Sequence, residues 1–488
     1  MSPTRVLIVG SGFAGLCMGI RLARAGVREF LIVEQADRLG GTWRDNTYPG
    51  AACDLMSFAY CFSFEQKTDW SRKWSPQAEI LAYMDHCAAN YGLLPHIRFG
   101  TEVEGARFDE AAGLWRVRLR PRGGPPEEIA ARFLVSGVGQ LHRPALPKIP
   151  GLEAFRGEHF HSARWDHAVP LEGRRVGVVG NAASAIQFIP EIAPQVEHLC
   201  IFQRSPNWIV PRGDRAYSEA EKRRFTRHPW LARLYRWLIW IRQETMYPAI
   251  LGDRFVSRAW RRLALQNLHR HVRDPELRAA LTPDYPVAGK RLLIHDDYYP
   301  ALLRENVELV TSPIDHAEPD GLVGADGRRH RLDVLIFATG FHTHRFLAPM
   351  RIEGLGGRAL PDDWVDGAEA YLGIGVPGFP NFFMMYGPNT NLGHNSILFM
   401  LECQAKYILR CMGAVERRGL RYLDLRPEVM RAWSDRLQAE LSRTVWARTG
   451  RSWYKTEAGR ITNNWSGTTT RYWWHTRRPD LRAYRQVA

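Results

Sequence analysis

No stretch of this 488-residue chain is both apolar and long enough to cross a bilayer. The most membrane-like run, Leu231 to Ile241, is interrupted by Arg233 and Arg236 and falls well short of the roughly 20 residues a span requires, so no transmembrane helix is expected. Cysteine is scarce and odd in number, at seven. None of these cysteines has a paired metal-ligand spacing, and Cys17 falls inside a predicted helix where a disulfide would be awkward, so reduced thiols and a cytoplasmic protein are expected. His159 and His161 stand two apart without a partner cluster, and no metal set is expected. A Gly-x-Ser-x-Gly elbow at a strand end is missing too, which leaves serine hydrolysis without support. The strand from Val6 to Val9 begins too soon after Met1 to leave room for a basic-then-apolar export signal, and none is expected. Acidic residues are the minority charge, 51 against 66 Lys and Arg, for a formal net charge of +15. That balance favours anionic partners, whether phosphorylated nucleotide, acidic membrane or nucleic acid, and chooses none of them.

What the chain does contain is an α/β opening, twice. Its length suits two or three domains, and 45% apolar with 24% charged residues is ordinary globular content. Arg5-Val-Leu-Ile-Val-Gly10-Ser-Gly12-Phe13-Ala14-Gly15 reads as a buried strand, a glycine turn and then a helix from Leu16 to Ala25. In such a turn Gly10 allows the bend, Gly12 lets backbone approach a pyrophosphate, and Gly15 lets helix pack on strand. The helix N-terminus then offers unpaired N–H groups to phosphate. Glu34, nineteen residues beyond Gly15, ends a second predicted strand from Phe30, where its carboxylate would accept ribose hydroxyls. The second opening is Arg175-Val-Gly-Val-Val-Gly180-Asn181-Ala182-Ala-Ser184-Ala185. Ala185 is an accepted variant of the third glycine, whereas Ala182 departs from the close-approach position. The following strand, Leu199 to Gln203, ends in Arg204-Ser205 instead of an acid. An arginine there accommodates a 2′-phosphate, so NADPH is the expected nucleotide; a plain surface arginine is the competing reading.

Between Pro211 and Gly289 the composition turns to helical spacing rich in Arg and Trp, including Arg233, Arg236, Trp237, Trp240, Arg258 and Trp260. Membrane adhesion or nucleic-acid binding can be read into this stripe. The preferred reading is a helical insertion whose Trp and Leu face packs on the core while arginines point outward. Asp333 to Phe341 returns to a buried strand ending in an Ala-Thr-Gly turn. The expected class is therefore α/β, with two Rossmann-like dinucleotide-binding domains. Residues 1–150 would form the first domain, 151–370 the second with its insertion at 211–288, and 371–488 the return to the first together with a C-terminal active-site segment.

The segment between the two openings reads Phe155-Arg-Gly157-Glu-His-Phe-His161-Ser-Ala-Arg-Trp165-Asp166. A second long motif, Gly40-Gly41-Thr42-Trp43, four residues, Tyr48-Pro49-Gly50, three residues, Asp54, accompanies it, as does Gly289-Lys290-Arg291. On these motifs the chain resembles type I Baeyer–Villiger monooxygenases of the flavin-containing monooxygenase superfamily, over nearly its whole length. The resemblance implies FAD and NADPH as cofactors and dioxygen as co-substrate. A peroxide anion formed on the reduced flavin would attack a ketone to give an ester or lactone, and would oxidise some sulfides. It further implies that Arg291 is the catalytic cation and that Asp54 orients it. Gly10, Gly12, Phe13, Ala14, Gly15, Glu34, Thr42, Trp43, Asp54 and Tyr60, with Gly180, Asn181, Ala182, Ser184, Arg204, Ser205, Lys290, Arg291 and Trp453, are assigned to cofactor binding. Lys290 and Arg204 would hold the 2′-phosphate. Phe155, Gly157, His161, Trp165 and Asp166 form the fingerprint of a linker between the two domains, expected to couple their positions and not to transfer protons. The nearest rival is a flavin-containing N- or S-monooxygenase, against which Trp165-Asp166 argues. A rival of another class is a basic binding protein that keeps the nucleotide fold as scaffold. The partner is a small molecule, with no nucleic acid, and the oligomeric state is left open.

Overall fold

Thr4–Val9 is a strand because its aliphatic residues fit a sheet covered on both faces, and Val6, Leu7 and Ile8 have no exposed surface. It pairs in parallel with Phe30–Val33 on one side and Glu127–Ser136 on the other. The computed structural model describes residues 3–450 and 452–488. Gly10 turns the chain at φ +93°, and the helix Phe13–Arg24 begins at once, three residues before its expected start at Leu16. The early start follows from close packing: a Cβ on Gly15 would lie 1.8 Å from the Gly10 carbonyl oxygen, so Gly15 belongs inside the helix against the strand. Gly12 caps this helix with extended backbone and no side-chain cap, which leaves its first N–H groups for another acceptor.

The first sheet has eight strands. Its parallel centre continues into an antiparallel meander, Thr101–Asp109, Leu114–Pro121 and Glu127–Ser136. Arg351–Glu353 adds to its edge beside Thr101–Asp109, and Phe382–Met384 pairs with Glu127–Ser136. The chain has thus rejoined the first sheet before residue 371, earlier than the expected boundary. Arg351–Glu353 is too short, and too charged at its ends, to read as a strand without its partner.

The second sheet has five parallel strands in the order Val307–Val310, His198–Phe202, Arg175–Val179, Val334–Phe337, Glu158–His161. The fingerprint segment is therefore not a free linker: Glu158–His161 forms the edge of this sheet, in register with Val334–Phe337. Gly157 permits the approach, since a Cβ there would meet the Asp333 carbonyl oxygen at 2.4 Å and the Phe155 ring at 2.5 Å.

Ile209–Val210 pairs with Leu293–Ile294 and closes the base of the insertion, which holds five helices between Glu219 and Ala280. The helix Pro229–Glu244 meets the expectation in part: Trp240 packs inward, donating to Thr469 Oγ1 at 3.0 Å, and Arg233 is exposed, but part of the Trp and Leu stripe faces out. Trp230, Leu234, Trp237 and Leu238 are 60, 44, 55 and 50% exposed, while Ala232 and Ile239 are buried. Arg236 turns inward and donates to the carbonyls of Phe58 and Cys61 at 2.9 and 2.8 Å. Two carbonyls of the short turn at Ser57–Ala59 and just beyond it need a donor; the arginine supplies a strong one to each, beside a weak contact from the Cys61 thiol to the Phe58 carbonyl at 3.5 Å. Among the described residues no helix is long and apolar enough to cross a membrane.

Candidate active site

Gly10, Gly12, Phe13, Ala14, Glu34, Thr42, Trp43 and Tyr60 line one groove at the carboxyl end of the first sheet. Gly12 and Gly41 face each other backbone to backbone, and a Cβ on Gly12 would meet nothing nearer than 3.7 Å. The protein alone does not require glycine there, whereas a phosphate-bearing ligand lying against that backbone does. Glu34 is buried, and its carboxylate accepts from Ser11 N and Oγ at 2.9 and 2.8 Å and from Ala36 N and Arg44 Nη1 at 3.0 Å each. Both oxygens are saturated within the protein, so a ribose hydroxyl has to displace one of these donors, and the exchangeable ones are the Ser11 hydroxyl and Arg44. Trp43 Nε1 donates to Tyr60 Oη at 3.0 Å, and the Tyr60 ring stands edge-on to Phe13 with centroids 5.5 Å apart. This aromatic wall fixes the groove's shape.

Near Tyr386, a residue of the groove lining, two residues 237 positions apart meet: Arg291 Nε donates to Asp54 Oδ2 at 2.6 Å. Asp54 is placed by the Tyr48-Pro-Gly50 turn, where Gly50 at φ +73° presses on the Gln187 carbonyl of the second domain's first helix, Ala185–Ile192. Tyr48 Oη donates to Gln187 Oε1 at 3.0 Å, and Gln187 Nε2 donates to the Ala52 carbonyl at 3.0 Å. Arg291 is placed by the strand Leu293–Ile294, which closes the insertion. Burial works against its charge, but the Asp54 carboxylate more than offsets that and holds the guanidinium above its ordinary value. Tyr386 lines the groove and senses the Arg291 charge, and burial raises its phenol well above the usual range. Tyr386 heads a Tyr-Gly-Pro-Asn segment that resembles the family's return to the first domain, but no site role for it, for Tyr454 or for Gln187 is legible in the sequence. The C-terminal segment covers the Lys290–Arg291 turn: Trp446 Nε1 donates to the Ala288 carbonyl at 2.9 Å, and a Cβ on Gly289 would strike Thr449 Oγ1 at 2.2 Å.

The second opening repeats the design. Gly180 sits at φ +105° with Ala338 beneath it, and Ala182 is exposed at the mouth of the following helix. Asn181 Nδ2 donates to Gln203 Oε1 at 2.6 Å and to the Ser205 carbonyl at 3.1 Å, tying the two strand ends. Lys290 Nζ donates to Ser205 Oγ at 2.9 Å and lies 4.4 Å from the Tyr285 ring centroid. Burial first, and the Arg204 charge second, pull the Lys290 ammonium below its ordinary value. Two neighbouring cations without a carboxylate contact of their own make a receptor for an anion. Ser184 starts the helix and influences the Tyr48 phenol. Trp453 is half-buried, and its carbonyl accepts from Thr343 Oγ1 at 3.0 Å.

The fingerprint segment touches both sides. Trp165 packs on Phe188 of the helix Ala185–Ile192, centroids 5.2 Å apart, and His167 Nε2 lies 2.9 Å from Thr47 Oγ1 of the first domain's loop. Asp166 caps its own turn through Ala168 N at 2.9 Å. His161 Nδ1 accepts from Ala163 N at 3.1 Å; burial pulls the ring down to about 4, against a smaller upward pull from the Gly340 carbonyl, so it is neutral at neutral pH.

A family model described as flavin-binding monooxygenase-like matches residues 3–351. A Baeyer–Villiger monooxygenase of Streptomyces coelicolor is 42% identical over 98% of this chain and 92% of its own length. Among solved structures, cyclohexanone monooxygenase from Rhodococcus sp. Phi1 bound to NADP+ is 28% identical, with a TM-score of 0.89 over 100% of both chains. OTEMO in complex with FAD and NADP is 27% identical, with a TM-score of 0.86 over 100% of both. The chain belongs to the flavin-binding monooxygenase-like family and, within it, to the Baeyer–Villiger monooxygenases.

Proposed function

We propose that this protein is an FAD- and NADPH-dependent Baeyer–Villiger monooxygenase, which inserts one oxygen atom of dioxygen beside a ketone carbonyl to give an ester or lactone and also oxidises sulfides. When bound, the two cofactors supply the reducing equivalents and the carbon at which dioxygen is activated. The groove between Gly12 and Gly41 fits the pyrophosphate of FAD, because it presents free helix N–H groups and backbone without side chains. Ser205, Lys290 and Arg204 fit a 2′-phosphate.

The observation that carries this reading is the Arg291–Asp54 pair at the junction of the two folds. A guanidinium stays protonated at any working pH, and beside an oxygen anion at about 4 Å it is worth roughly 4 kcal/mol at an effective dielectric near 20. Asp54 holds the arginine in place and keeps it charged. Burial of the Tyr386 and Tyr454 phenols keeps both neutral, so they offer hydrogen bonds without adding a competing negative charge. The fingerprint strand couples the position of the second sheet to this junction through Trp165, Phe188 and Gln187. We assign residues 1–150 and the C-terminal part to FAD and the intervening sheet with its insertion to NADPH.

NADPH consumption and mass-detected products for cyclic, linear and aryl ketones, sulfides and tertiary amines test the proposal. Esters or lactones formed in step with NADPH consumption support it. Oxygenated amines and sulfides without any ester would replace it with the N- or S-oxidising reading.

A further inference from the structure

Away from both grooves, one face of the second sheet gathers three metal-ligating side chains, His198, Cys200 and Glu308, whose donor atoms lie within 4.8 Å of one another, and a fourth approaches from the neighbouring sheet. His198 and Cys200 are two apart on His198–Phe202, so strand alternation sends both to the same side. Glu308 on Val307–Val310 is the register partner of Cys200. His198 Nε2 lies 3.4 Å from Glu308 Oε2, and Cys200 Sγ lies 3.8 Å from that same oxygen. Arg329–Arg331, the last strand of a neighbouring three-stranded sheet, adds His330, whose Nδ1 is 3.8 Å from Cys200 Sγ and 3.8 Å from Glu308 Oε2. Sequence reading expected no metal set because these residues are scattered over more than a hundred positions.

The separations have a chemical meaning. Both N···O distances exceed an ordinary hydrogen bond of about 2.7 to 3.2 Å. Around a tetrahedral zinc, with bonds of about 2.0 Å to nitrogen or oxygen and 2.3 Å to sulfur, nitrogen and oxygen donors stand about 3.3 Å apart and sulfur about 3.5 Å from either, so an ion would draw these side chains a few tenths of an ångström closer. Glu308 is divided to suit: Arg328 Nη1 takes Oε1 at 2.5 Å, leaving Oε2 to the cluster. A carboxylate ligand steadied from behind by a cation is an ordinary outer-shell arrangement. Cys200 and His330 are 1 and 5% exposed, and His330 Nε2 is buried without a hydrogen-bond partner. An open groove of about 590 Å³ lined by the same residues gives an ion a path inward.

We propose that His198, Cys200, Glu308 and His330 form a structural zinc site that fastens the three-stranded sheet to the second nucleotide sheet. Four protein donors close the coordination shell, so the metal has no open position for catalysis. On binding, the Cys200 S–H bond breaks, its proton leaves to solvent and the thiolate ligates the ion; no oxidation state changes.

The test uses the purified holoenzyme equilibrated with micromolar zinc chloride and desalted, followed by elemental analysis, zinc-edge X-ray absorption and thermal unfolding. About one zinc per chain, a shell of one sulfur and three nitrogen or oxygen donors, and a zinc-dependent rise in melting temperature are expected. Cys200→Ser, and the milder His198→Gln at a half-exposed ring, each lower retention at least tenfold and remove the rise. Folded wild-type protein that retains no zinc, a shell without sulfur, or equal retention by both variants would overturn the site.

Discussion

In the proposed reading, nucleotide choice turns on Arg204 and Lys290. A charge-assisted phosphate contact contributes about 1.5 to 3 kcal/mol, so Arg204→Ala is expected to raise the NADPH Michaelis constant roughly ten- to a hundredfold while leaving that for NADH almost unchanged. Equal effects on both nucleotides would remove Arg204 from the phosphate site. His161 makes a second, pH-dependent prediction. Its folded value near 4 lies below the ordinary value of about 6.5, so the folded state binds fewer protons there. The stability it contributes is complete above about pH 6.5 and is lost as pH falls toward 4, on the order of 2 kcal/mol after allowing for water that reaches the ring. Melting curves across this range should show wild type losing more stability on acidification than His161→Phe; parallel losses would contradict the burial argument. The sequence marks Arg204, Lys290, Arg291 and Asp54 because each sits in a motif or at a strand end. It gives no site role to Gln187, Tyr386 or Tyr454, because their place depends on contacts across the fold. Glu34 is an intermediate case: its position is legible, but the four donors that fill its carboxylate are not.

At the scale of elements, aliphatic runs such as Val6 to Val9 and Val334 to Phe337 are legible because a strand buried on both faces needs an unbroken apolar sequence. Glu158–His161 alternates charged and aromatic residues and joins its sheet only at an edge, so nothing local distinguishes it from a linker. Gly157 is what lets it dock. Gly157→Ala places a methyl group 2.4 Å from the Asp333 carbonyl oxygen and is expected to cost about 1 to 3 kcal/mol, read as a lowered melting temperature. An unchanged melting temperature would mean the edge strand yields freely. On the proposal that the same strand couples the two sheets, His161→Ala should slow oxygenation while FAD stays bound; turnover at the wild-type rate would take the strand out of the mechanism. In the helix Pro229–Glu244 the expectation holds for Arg233 and Trp240 and fails for Arg236 and Trp237, because amphipathicity gives a stripe without saying how each residue of it is used. The carbonyls of Phe58 and Cys61 decide it by drawing Arg236 in.

For the whole molecule, a mixed eight-stranded sheet and a parallel five-stranded sheet each carry a glycine turn, and residues far apart in sequence meet between the two folds. Asp54 comes from the first fold, Arg291 from the end of the insertion, and the cover from the C-terminal segment around Trp446 and Thr449. Losing a preorganised charge of this kind costs on the order of a hundred- to a thousandfold in the step it serves. The most direct test is Arg291→Ala, followed in one experiment through flavin reduction by NADPH and through ester yield per NADPH consumed. The variant should bind FAD and be reduced by NADPH, then release hydrogen peroxide with at least a hundredfold less ester. Ester formation in step with NADPH consumption at near wild-type rate would contradict the assignment and place the catalytic cation elsewhere.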